Sequence, residues 1–143
     1  MLDFDYQKHY AALVEEVSVA ITMPETWSRY FEESGVLPSL PNDLRASQRR
    51  AVRTYGLLRI DGALPAIPRN ADFMGVYTKD FSKNAVGFIS PIQLYPTERL
   101  RLILPTFWLS LFVIRCRRHN SRCYEVGAKL LQHNAPDETA FSD

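Results

Sequence analysis

The spacing of apolar residues changes part-way along the chain. Between Tyr6 and Ile21, the residues Tyr6, Tyr10, Leu13, Val14, Val17, Ala20 and Ile21 follow steps of 4, 3, 1, 3, 3 and 1. They form a single stripe at helical period, with Glu15 and Glu16 beside it, which predicts an amphipathic helix. A second helix is expected to start near Pro24, since proline suits a first helical turn. It should carry Trp27, Tyr30 and Phe31 on one side and be capped at Gly35. The run Val36-Leu37-Pro38-Ser39-Leu40-Pro41-Asn42-Asp43 holds two prolines that resist helix and sheet alike, and reads as a connector.

Beyond the connector the pattern is that of strands. Thr54 to Ile60, Met74 to Lys79, Val86 to Ser90, Arg99 to Leu104, Trp108 to Arg117 and Tyr124 to Leu130 are short runs of β-branched, aromatic and aliphatic residues. Between them stand Asp61-Gly62, Pro65, Pro68, Asn70, Asn84, Pro91, Pro96 and Asn120. Strands of this length and spacing predict a sandwich or a small barrel. The last two runs should form a hairpin whose register stays open. A three-residue loop places Arg115 opposite Glu125, whereas a two-residue turn at His119-Asn120 places Cys116 opposite Cys123. The domains expected are residues 1–44 as an acidic helical extension and linker, 45–131 as the strand-rich domain, and 132–143 as a flexible polar tail.

Composition narrows the class without naming a chemistry. The chain has 143 residues, 46% of them hydrophobic and 23% charged, which is ordinary for a globular domain and excludes collagen-like or low-complexity sequence. Its most apolar stretch, Leu102 to Ile114, contains Pro105, Thr106 and Ser110. It falls short of the ~20 residues a bilayer span needs, so it reads as core strand. The start Met1-Leu2-Asp3-Phe4-Asp5 lacks the basic residues and apolar run of a signal peptide. Cys116 and Cys123 are too few for a disulfide scaffold, and the expected location is cytoplasmic.

Charge alters the picture more. The formal total is +1, yet residues 1–44 hold 2 basic and 8 acidic residues, 2 − 8 = −6, and residues 45–143 hold 15 and 8, 15 − 8 = +7. Such asymmetry points to an anionic partner for the basic part. Two constellations there could meet one. Arg49-Arg50-Ala51-Val52-Arg53 sets two arginines four apart, with a third between them, just before the first strand. Asp80-Phe81-Ser82-Lys83-Asn84-Ala85-Val86-Gly87-Phe88 is a polar turn between strands. A guanidinium fork suits phosphate oxygens and the acceptor edge of guanine. An aspartate accepts from the guanine N–H groups, and a serine hydroxyl can donate or accept. Together they would read a guanine nucleotide.

In this order the two motifs, R-x-x-x-R and then D-x-S, resemble the hallmark of PilZ domains, over about residues 45–131. Each motif alone is common, whereas both in sequence within an all-β segment are fairly specific. The resemblance implies an all-β core, a six-stranded antiparallel β-barrel with an N-terminal α-helical extension here. It also implies a bacterial signal-transduction receptor whose ligand is cyclic di-GMP. Arg49 and Arg53, with Arg50 between them, would hold its phosphates and guanines, and Asp80 and Ser82 would contact a guanine. Ala85 stands where the family usually has glycine, so Asn84 is expected to take the left-handed conformation instead. Gly87 follows the turn, and Gly127 in the last strand matches a small residue that leaves room for ligand.

Other readings are plainer. Arginines four apart are often a solvated face, and Asp80 and Ser82 can bond their own backbone in a turn. Arg115, Arg117, Arg118 and Arg122 read as surface charge around the hairpin. No P-loop or dinucleotide-binding glycine run is present, and no histidine is placed to activate Ser82. No catalysis, cofactor or metal site is therefore expected. The N-terminal stripe could cover the barrel, pair in a homo-oligomer or dock a downstream protein. The rival function is a PilZ-like protein–protein interaction module that binds no nucleotide. A barrel binding RNA or single-stranded DNA would need an aromatic platform, and Phe107, Trp108 and Phe112 read as core instead, so no DNA partner is expected.

Overall fold

A computed structural model of the chain describes residues 4–32, 34–36, 50–69 and 72–142. The chain order is α1 (Tyr6–Glu16), β1 (Ser34–Val36), β2 (Arg50–Val52), β3 (Tyr55–Gly62), β4 (Met74–Phe81), β5 (Ala85–Ser90), β6 (Arg99–Ile103), β7 (Trp108–Asn120) and β8 (Cys123–Asn134). All pairings are antiparallel. Strands β3, β6, β7, β8, β5 and β4 pair in that order and close through β4–β3 into a six-stranded barrel. The runs predicted as strands each fall on one of these six. Strand β2 pairs with the far end of β4, and β1 lies outside against β2.

Alternation along each strand fills the barrel. Leu58, Val76, Phe88, Leu102, Leu111 and Val126 face one another inside, each with no more than 1% of its surface exposed. Leu102, Leu109, Leu111 and Val113 come from the apolar run predicted to be core strand. Outward residues are covered in two places. Tyr6 and Tyr10 of α1 pack with Leu57, Ile103, Trp108 and Ala140, while Tyr30, Ile21, Met23 and Trp27 pack with Ile89, Cys123 and Tyr77.

The N-terminal part departs from its predicted helices. Asp5 caps α1 by accepting from the Lys8 N–H at 3.1 Å, but the helix ends at Glu16, short of Ile21. Tertiary bonds pull the following residues into an extended path. The Tyr55 hydroxyl donates to the Val17 carbonyl at 3.1 Å. The Thr22 N–H donates to the Arg122 carbonyl at 3.0 Å, and the Asn120 amide donates to the Thr22 carbonyl at 2.9 Å. The expected second helix is replaced by short 3₁₀ turns at Glu25–Trp27 and Tyr30–Glu32, and Gly35 lies in β1 instead of capping a helix. Most of the connector, residues 37–43, lies outside the described residues.

Two further expectations are corrected. The tail does not hang loose: β8 runs to Asn134, and a 3₁₀ turn at Glu138–Phe141 buries Ala140. Arg101 clasps it, with Nη1 at 3.0, 2.8 and 2.7 Å from the carbonyls of Thr139, Ala140 and Ser142. The last hairpin takes neither expected register. Its turn is Ser121-Arg122, with Arg117 opposite Glu125, Cys116 opposite Val126 and Arg115 opposite Gly127. The Asn120 side chain sets this turn by accepting from the Arg122 N–H at 2.8 Å.

Candidate functional site

A groove of about 640 Å³ runs over the outer wall where β4, β5, β8 and β7 lie side by side. Asp80, Ser82, Ala85, Gly87 and Gly127, all singled out in the sequence, line it together. Register explains why residues so far apart in sequence meet. Asp80 pairs with Gly87, Gly87 with Gly127, and Gly127 with Arg115, so the four form one row across four strands.

Each glycine makes room for the side chain of its register neighbour. A Cβ on Gly87 would lie 2.5 Å from Asp80 Oδ1, and one on Gly127 would lie 3.0 Å from Arg115 Nε. The space above each glycine is therefore filled by its neighbour's side chain. With no side chain of their own, they let a carboxylate and a guanidinium lie flat against the barrel and face the groove. Asp80 is held there with 7% of its surface exposed. A bulge between Thr78 and Asp80 shifts the register at this point.

The turn after β4 closes through the Ser82 N–H donating to the Ala85 carbonyl at 2.9 Å. Among the described residues, Thr97 is the one non-glycine with positive φ, so Asn84 does not take the left-handed conformation expected of it. Alanine at position 85 consequently fits the turn without strain. The Asn84 carbonyl instead accepts from the Leu130 N–H at 2.8 Å, which ties the turn to β8.

The arginine motif is divided. Arg49 lies outside the described residues. Arg50 stands exposed on β2, opposite Phe81, and lines neither the groove nor the recess beside it. Arg53 lines that adjoining recess of about 400 Å³. It is positioned at the β2–β3 corner, where the Thr54 N–H donates to Thr78 Oγ1 at 2.9 Å. Its guanidinium lies 4.3 Å from the centre of the Tyr30 ring, and its Nη1 donates to the Tyr30 carbonyl at 3.3 Å. Tyr30 is itself fixed, its hydroxyl donating to the Thr78 carbonyl at 2.6 Å. Burial holds that hydroxyl protonated, well above the ordinary phenol range.

Lys79, Arg115, Arg117, Glu125 and Lys129 also line the groove, and the sequence did not single them out as binding residues. Their signal was present in the period-2 alternation of Arg115 and Arg117 on β7 and of Glu125, Gly127 and Lys129 on β8. Without the hairpin register it could not be aimed. Glu125 joins Lys79 Nζ at 2.5 Å and His119 Nε2 at 2.9 Å. Burial alone would raise its carboxyl, but the bonds and charge from Lys79 and His119 prevail and hold it below the ordinary carboxylate range. Burial pushes both cysteine thiols up, which disfavours the reactive thiolate.

Fold and site define a small antiparallel barrel with a groove on its outer wall that is lined by charged side chains and by apolar ones such as Ile114 and Val126. The chain matches no protein-family model, and no curated protein or solved structure is significantly similar to it. Among the described residues, no helix is long and apolar enough to cross a membrane.

Proposed function

We propose that the chain is a non-enzymatic PilZ-type receptor for cyclic di-GMP that passes the bound state to a protein partner. One observation carries the reading: the Asp80–Gly87–Gly127–Arg115 row sets a carboxylate and a guanidinium flat on one wall. Guanine offers N–H donors on one edge and the O6 and N7 acceptors on another, which these two groups complement. Ser82 at the groove's rim adds a hydroxyl, and Arg53 in the adjoining recess supplies charge for a phosphate. Because Arg53 also stacks on Tyr30, a phosphate that draws it away loosens the N-terminal segment and shifts the population toward a signalling state.

Calorimetric titration with cyclic di-GMP, beside GMP and GTP, tests the reading. Saturable binding, tighter for the dinucleotide, is expected. No heat, or equal affinity for all three, would overturn it. The hold of Tyr30 on Arg53 favours a second reading, an interaction module in which Arg53 only docks the N-terminal segment. Failure of the titration with an intact fold would select it.

A further inference from the structure

The groove and the recess meet at a ridge made by Lys79, Arg117 and Glu125, which line both. There the two oxygens of one carboxylate are shared between two donors. Lys79 Nζ lies 2.5 Å from Glu125 Oε2, and His119 Nε2 lies 2.9 Å from Oε1. Arg117 is the register partner of Glu125 across β7–β8. Trp27 meets the His119 ring edge-on at 4.6 Å and holds it toward the carboxylate. Among the described residues lining the recess, Glu125 is the one acid, set amid Arg29, Arg53, Lys79, Arg117 and His119.

We infer that Lys79, His119 and Arg117 form a phosphate seat, and that Glu125 occupies it as an internal counter-anion until a phosphate group arrives. A carboxylate presents two anionic oxygens in one plane, and a phosphate presents the same pair with at least one more oxygen and often more charge. Ion pairs with access to water add little to stability, so exchanging one anion for another here is cheap. The Glu125 side chain retains 26% exposure, which gives it a way out toward solvent. A ligand phosphate in the seat then gains charge-assisted bonds from Lys79 and from the Arg117 fork. The seat deepens the receptor reading by adding phosphate ligands outside the R-x-x-x-R motif, but its own residues carry it.

Inorganic pyrophosphate, titrated into the full chain by calorimetry, separates the two ideas. The Glu125→Gln variant should bind pyrophosphate about tenfold tighter than wild type, because the competitor is neutralised and the cations remain. Adding Lys79→Gln to that variant should cancel the gain. Equal or weaker binding by Glu125→Gln, with an unchanged circular dichroism spectrum, would overturn the inference. If that variant fails to fold, ¹⁵N NMR of wild type decides. Pyrophosphate should shift Lys79 Nζ and His119 Nε2 and leave Lys8 of α1 unmoved, whereas no selective shift would overturn the seat. A pyrophosphate response without cyclic di-GMP binding removes the receptor reading and leaves the seat, and the reverse result removes only the seat.

Discussion

Two parts of the same barrel wall are treated in opposite ways. On β3, β6 and the start of β7, the outward residues Leu57, Ile103 and Trp108 are large and apolar, and the chain covers them with α1 and the C-terminal turn. On the stretch of β4, β5, β8 and β7 that carries Asp80, Gly87, Gly127 and Arg115, that row is made of glycine and charged residues, with Ile114 exposed beside it, and the wall stays open as a groove. Apolar surface left in water is unfavourable in proportion to its area, so the first wall needs a cover. The second wall presents glycine backbone and the exposed Arg115 in place of large apolar side chains, so it needs less cover, although Asp80 itself is buried. The same alternation of strand residues thus yields a structural face and a candidate recognition face, and the choice rests on which outward side chains are apolar.

If that contrast is right, mutations on the two walls should have separable effects. The largest is expected from Ile103→Ala on the covered wall, which should lower stability by about 2–5 kcal/mol in urea unfolding. It should leave affinity for cyclic di-GMP unchanged in the folded fraction, and a large affinity loss would blur the contrast. Next, Arg53→Ala should weaken binding roughly 10- to 100-fold in calorimetry, as a charge-assisted bond of about 1.5–3 kcal/mol is lost. Gly87→Ala should follow at about tenfold, or ~1.4 kcal/mol, because the added Cβ would displace the Asp80 carboxylate. Full affinity in that variant would show that the row is only structural.

The smallest effect is in pH. The folded-state value of Glu125 is lowered, so its contribution to stability is fully present at neutral pH. That contribution is lost as the pH falls from the ordinary carboxylate range through the lowered value. For a pair this accessible, a change of about 1 kcal/mol or less is expected. Acid unfolding of Glu125→Gln beside wild type should reveal it as a slightly flatter pH profile.

Much of the fold was legible because strand residues report their environment locally. The alternation in Leu100–Leu102–Leu104 and the punctuating Pro, Gly and Asn residues mark each strand without knowledge of its partner. The N-terminal segment was misread for the converse reason. The helical stripe continues through Val17 and Ile21, but hydrogen bonds from Tyr55 and Asn120, distant in sequence, hold residues 17–22 extended. Asp80, Ser82, Gly87 and Gly127 were legible as site candidates only through the motif they resemble. Arg115 reads in the sequence as surface charge, because its position opposite Gly127 depends on a turn that several registers would satisfy.

By itself, then, the sequence determined the number and kind of barrel strands, the apolar interior and the split between an acidic N-terminal part and a basic remainder. These follow from side-chain period and composition, which act over a few residues. Tertiary structure alone decided the hairpin register, the early end of α1, the clasp of Arg101 on the C-terminal turn and the stacking of Arg53 on Tyr30. It also decided that Lys79 and His119 converge on the carboxylate of Glu125, with Arg117 opposite it in register. Each of those depends on contacts between residues far apart in the chain, whose geometry exists only once the barrel has closed.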